Sequence, residues 1–134
     1  MFLDSFLSFG FFFLTATAIV ALFLYLYSVV TPYDDYQLIF KENNIAASIG
    51  FGGAIAGLSI PLYSALTSSV SYVDFLIWAV VAMVIQLLFA FILLRITTKF
   101  AFKEKISEDV ISVGVIMAFL SISIGLLNAG SMSY

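Results

Sequence analysis

Few residues in this chain are able to do chemistry, and they are scattered. Cysteine and histidine are both absent. That removes disulfides, thiol nucleophiles, Cys/His zinc sites, Ser-His-Asp relays and histidine pH switches. Asp34 and Asp35 are paired carboxylates, but they are adjacent in sequence rather than set about a cleft, so they do not make an acid–base pair. No nucleophile, base or metal-ligand cluster accompanies them. The expectation is a protein that is not an enzyme and has no cofactor and no metal. The polar residues that stand out instead lie in or beside long apolar runs: Ser64, Asp74, Gln86 and Asn128. Gln86, expected level with Ala54 and Val115, is suited to an interhelical hydrogen bond, a contact worth about 0.6–2 kcal/mol. Asp74, at a helix start, either favours the positive end of the helix dipole or forms an outer rim that attracts a cation. Ser64 and Asn128 are expected near it in depth.

A second class of candidates is small rather than polar. Ala46, Gly50 and Ala54 recur every four residues, as do Gly53 and Gly57, with Pro61 four further on. Gly114, Ala118, Ser121 and Gly125 form a looser counterpart near the C-terminus. Such spacing lets helix backbones approach closely in lipid, where there is no hydrophobic drive for helix association. Gly50, Gly53, Gly57, Gly114 and Gly125 are therefore candidates for packing within the chain or for an oligomer interface. Pro61 cannot donate to the Gly57 carbonyl and should kink its helix. Broken helices at matching places in both halves would point to a transporter. Leu126 occupies the matching place, so that signal is weak.

The elements that must position these residues follow from composition. Of 134 residues, 63% are hydrophobic and only 10% charged, with five basic and eight acidic side chains. So few charges cannot coat a soluble globule, and five basic residues give no nucleic-acid footprint. The uncharged stretches between Asp4 and Asp34, Glu42 and Asp74, Asp74 and Arg95, and from Val110 onward each hold the roughly 20 apolar residues of one crossing. They are apolar all round rather than alternating, which selects helices over a barrel. The predicted fold is all-α, a four-transmembrane-helix membrane protein with helices at 8–30, 45–67, 73–94 and 110–129.

All five basic residues fall between the first and second helices (Lys41) or the third and fourth (Arg95, Lys99, Lys103, Lys105). The positive-inside rule then puts both of those loops in the cytoplasm and both termini outside. Lys99, Lys103 and Lys105 alternate with Phe100 and Phe102, a pattern suited to anionic headgroups. Glu104, Glu108 and Asp109 dilute it. An offset of 65 residues lays the first hairpin on the second, pairing Ile45 with Val110 and Leu62 with Leu127. This gives one membrane domain over 1–134 built as a parallel tandem repeat, with hairpin units at about 5–68 and 69–134.

Several local strings then become informative together. They are Thr31-Pro32-Tyr33-Asp34-Asp35-Tyr36-Gln37-Leu38-Ile39, Asn44-Ile45-Ala46-Ala47-Ser48, Gly57-Leu58-Ser59-Ile60-Pro61-Leu62, Asp74-Phe75-Leu76-Ile77-Trp78, Gln86-Leu87-Leu88 and Gly125-Leu126-Leu127-Asn128-Ala129. In this order and spacing the chain resembles the YjfL-like bacterial inner-membrane family, domain of unknown function 350. The resemblance implies a multi-pass protein made of two copies of a two-helix unit, and it implies no established activity. It also implies neighbourhood with phage-shock-type peripheral membrane proteins and glutathionylspermidine-synthase-like enzymes, hence an envelope-stress or polyamine-linked setting. Gly130-Ser131 departs from the small residue and cysteine that relatives tend to carry, so no thiol role transfers.

The expected function is that of a self-associating structural or interaction component of the bacterial inner membrane, with the lipid bilayer, further copies of itself and a phage-shock-type peripheral protein as partners. The rival expectation is a small homo-oligomeric channel or transporter for cations.

Overall fold

A computed structural model describes residues 1–132, and over them the chain is helical, with no strand. The order is α1 (Phe2–Val30), a π turn (Gln37–Lys41), α2 (Ile45–Ser68), α3 (Tyr72–Phe91) prolonged by a π turn (Ile92–Ile96), α4 (Phe102–Ser107) and α5 (Ile111–Ser131). Helices α1, α2, α3 with its extension, and α5 are each long and apolar enough to cross a membrane. The predicted second hairpin runs on over residues 133–134, which lie outside the described residues.

Local chemistry sets the ends. Thr31 precedes Pro32 and is extended (φ −68°, ψ 140°), because the proline ring disfavours a helical residue before it; α1 stops there. Asn44 caps α2, accepting from the Ala47 N–H at 2.8 Å. Ser71 caps α3, accepting from the Asp74 N–H at 3.1 Å, while Asp74 accepts from the Val70 N–H at 3.1 Å. That exchange resembles a capping box. The first helix starts six residues earlier than the predicted 8–30. Asp4 looked like a boundary, but an acid in the first turn suits the positive end of a helix. Helix α4 and the first π turn are additions, lying where the sequence suggested only connecting loops, and the second π turn carries the third helix two residues past the predicted 94.

Helices α2 and α5 form the most intimate pair, α3 packs on both, and α1 leans mainly on α3. The pair α2/α5 runs parallel. Gly53 lies against Ala118, and Ser64 donates to the Ala129 carbonyl at 3.5 Å, both 65 positions apart. One apolar cluster, including Phe23, Leu58, Leu62, Phe75 and Ala79, fills the bundle between α1, α2 and α3. A second, with Leu38, Ala46, Leu94, Phe102, Ile106 and Met117, lies under the loops. Phe102 and Ile106, four apart on α4, anchor the second loop there; Leu38 anchors the first.

Candidate functional site

The predicted glycines converge on one surface, the α2–α5 contact within the chain. A Cβ on Gly53 would overlap Ala118, one on Gly114 would overlap the Ala46 backbone, and one on Gly125 would overlap the Gly57 carbonyl. A Cβ on Gly57 would come within 2.5 Å of the Ser121 carbonyl and 2.8 Å of the Gln86 amide nitrogen. Gly50 differs, since its neighbour is the flexible end of Met117. These glycines are thus occupied inside the bundle rather than displayed on its outer face. Helix α2 continues through Pro61 to Ser68.

On α5, Ser121, Gly125 and Asn128 share one stripe, and Ala82 and Gln86 share another on α3. The two stripes exchange hydrogen bonds. Gln86 donates through Nε2 to the Ser121 carbonyl at 3.4 Å, and Asn128 donates through Nδ2 to the Ala82 carbonyl at 3.3 Å. Each amide thereby bonds the other helix's backbone. Gln86 is 2% exposed, and its Oε1 is buried without a hydrogen-bond partner.

Two depth expectations need correction. Asn128 was expected beside Asp74, but it reaches Ala82, eight positions and about 12 Å of rise further in. Gln86 was expected level with Ala54 and Val115, but it meets Gly57 and Ser121. Counting from helix ends assumes equal starting depth, and Ala82, ten residues into α3, meets Asn128 only three residues from the end of α5. Asp74 remains at its own helix start, bonded to Val70, and Ser64 is bonded to Ala129.

The loop end holds features that sequence reasoning passed over. Arg95 donates to the carbonyls of Val29, Val30 and Thr31, the exposed C-terminal acceptors of α1. Asn44, besides capping α2, donates to the Ile106 carbonyl at 2.7 Å. Asp109 accepts from the Ala46 N–H at 2.8 Å, giving α2 a second cap from the other loop. Asp109 has φ 59°, a left-handed conformation that Asp tolerates. Asp35 is buried and accepts from the Thr31 hydroxyl at 2.7 Å. Burial pushes its carboxyl up to about 6, Asp34 adds to the rise, and the Thr31 bond opposes it. Burial, then the charge of Asp35, also raises Tyr33 above the ordinary phenol value. The available signals were the Thr-Pro turn before Asp34-Asp35 and the spacing of 65 between Asn44 and Asp109. Among the described residues no three acids gather where they would hold a metal ion.

The profile of the family described as Domain of Unknown Function (DUF350) matches residues 1–132. The chain belongs to the DUF350 family. This DUF350 protein is 41% identical over 133 residues to the UPF0719 inner membrane protein YjfL of Escherichia coli (strain K12), covering 98% of each chain. It is 26% identical over 117 residues to the UPF0719 transmembrane protein YshE of Bacillus subtilis (strain 168), covering 87% of each. No solved structure gives a significant match. With four helices of spanning length, it is a multi-pass protein of the bacterial inner membrane.

Proposed function

We propose that this DUF350 protein is a non-catalytic membrane component that presents its two loops as one rigid platform to a peripheral partner. The observation that carries this reading is the cross-bonding of the loops. Asn44 of the first bonds Ile106 of the second, Asp109 of the second caps α2 after the first, and Arg95 clamps the end of α1. Residues that only connected helices would not need mutual caps and a buried cluster of their own. The α2–α5 glycine contact supports the same reading, since backbones that touch leave no aqueous path between those helices.

In this reading the loops are cytoplasmic, as the placement of all basic residues favours, and the hairpins are a parallel tandem repeat, which the contacts 65 positions apart support. The partner is a phage-shock-type peripheral membrane protein, in an envelope-stress or polyamine-linked process. Self-association uses α1, whose Phe2, Phe6, Phe9 and Phe11 are exposed, because the glycines are occupied within the chain. The test is co-sedimentation of such a purified partner with proteoliposomes. The parent should capture it, and a variant carrying Asn44→Ala and Asp109→Ala, still membrane-inserted, should capture much less. A parent that captures none would sink the platform.

One observation favours the rival, a homo-oligomeric cation channel or transporter: Gln86 Oε1 is an acceptor without a donor inside the bundle. Cation flux through parental proteoliposomes, abolished by Gln86→Leu with assembly intact, would promote it.

A further inference from the structure

Beside α5, at the loop end of the bundle, runs an apolar groove of about 430 Å³. Phe100, Phe102, Val113, Ile116 and Leu120 wall it, and Lys105 stands at its mouth. We propose that this groove binds one anionic phospholipid, an acyl chain lying along α5 and the phosphate resting on Lys105.

Length, charge and rigidity each favour that occupant. From Val110 to Leu120 the groove follows ten residues of α5, about 15 Å of rise. That is half the roughly 30 Å hydrocarbon core, the reach of one leaflet's chain. The groove therefore runs from the interface to the midplane, with its one cationic end where a headgroup sits. Lys99 adds a second positive charge beside the mouth, its ammonium 5.7 Å from the centre of the Phe100 ring.

Two of the three nearby acids are engaged elsewhere, and Glu108 stays exposed at the end of α4. Asp109 is held by the Ala46 N–H of α2, and Glu104 lines a separate cleft with Pro32 and Arg95. Lys105 also rises from an anchored backbone. Its helix, α4, is pinned by Phe102 and by Ile106, the latter wholly inaccessible to solvent. A cation on a tethered helix, over a groove one leaflet deep, is a lipid site rather than a diffuse basic surface.

Native mass spectrometry of the purified full chain, with phosphatidylglycerol and phosphatidylethanolamine of matched acyl chains, tests this. The parent should retain one phosphatidylglycerol about fivefold better than phosphatidylethanolamine, the factor one lysine near an anionic headgroup confers. Lys105→Gln should lose that preference. Ser112→Trp, at an exposed position on the groove wall, should lose retention of both lipids with thermal unfolding unchanged. Lys41→Gln removes an equal charge from the other loop and should behave as the parent. Equal retention of the two lipids by the parent would overturn the proposal. So would a Lys41→Gln loss as large as that of Lys105→Gln, or a folded Ser112→Trp chain that still holds lipid.

Discussion

The carbonyl oxygen of Gly57 abuts Gly125 across the α2–α5 contact, where any side chain at 125 would displace it. Four residues on from Gly57, Pro61 has no N–H to return to that carbonyl. The acceptor released by the proline thus faces the one residue type that lets a neighbouring backbone come close enough for a Cα–H contact. Proline and glycine act together here. The missing helical bond is tolerated because a second helix closes over it, as in membrane helices generally.

The glycine contact predicts a position-specific response to alanine. Gly53→Ala and Gly125→Ala each drive a methyl group into neighbouring backbone, which cannot rotate away as a side chain can. Each should cost about 1–3 kcal/mol, the usual price of overpacking. Gly52→Ala meets nothing within 4 Å and should be neutral or slightly stabilising. Gly50→Ala should fall between, since Met117 can move its terminal methyl. Thermal unfolding in detergent checks the order, and equal losses at Gly52 and Gly53 would contradict it.

Gln86 and Asn128 predict a modest pair of effects. Each makes one long bond to the opposite backbone, and Gln86 leaves its oxygen unpaired. Asn128→Leu should cost about 0.6–1.7 kcal/mol, the range for interhelical bonds in membranes. Gln86→Leu should cost less, because it also removes a buried unsatisfied acceptor. Unfolding of both variants and of the double variant checks this. A Gln86→Leu loss above that of Asn128→Leu would mean the oxygen has a donor in the membrane.

The sequence made some of this plain and hid the rest for physical reasons. The four spans were legible because lipid demands long apolar runs, and Asp34, Glu42, Asp74 and Arg95 mark their limits visibly. The glycine stripes were legible as close-approach surfaces. Which partner they met was not, since spacing marks a face but does not say what lies opposite it. The depths of Gln86 and Asn128 were misplaced because the relative offset of two helix ends leaves no trace in residue counts. Helix α4 was missed because its apolar pair, Phe102 and Ile106, spans a single turn among charged residues. The role of Arg95 was hidden for a similar reason: its partners are backbone carbonyls 64 to 66 positions away.

Orientation predicts a labelling pattern. The native chain lacks cysteine, so single cysteines introduce no background. Val70 and Ser131 are exposed at one end of the bundle and Thr98 at the other. Val70→Cys and Ser131→Cys should react with an impermeant thiol reagent in intact cells, and Thr98→Cys only after lysis. The reverse pattern would invert the topology and put the loop platform outside.

Asp35 predicts how stability varies with pH. Its ordinary value near 3.8 rises to about 6 in the folded chain, chiefly because the side chain is buried. Between those values the folded state holds a proton that the unfolded state has lost. Stability should therefore be greatest at the acidic end of the window and decline as pH rises through it. Asp35→Asn keeps an acceptor for the Thr31 hydroxyl and removes the charge that burial disfavours. It should flatten the profile between about pH 4 and 6 and raise stability at pH 7 by on the order of 1–3 kcal/mol. Asp34→Asn, whose side chain accepts from the Gln37 N–H at an exposed position, removes the same charge next door and should leave most of the slope in place. Thermal unfolding in detergent across this range distinguishes the two. An Asp35→Asn chain that kept the parental slope would place the titrating group elsewhere, and one that lost stability at pH 7 would mean the buried carboxylate has a cationic partner in the membrane-embedded protein.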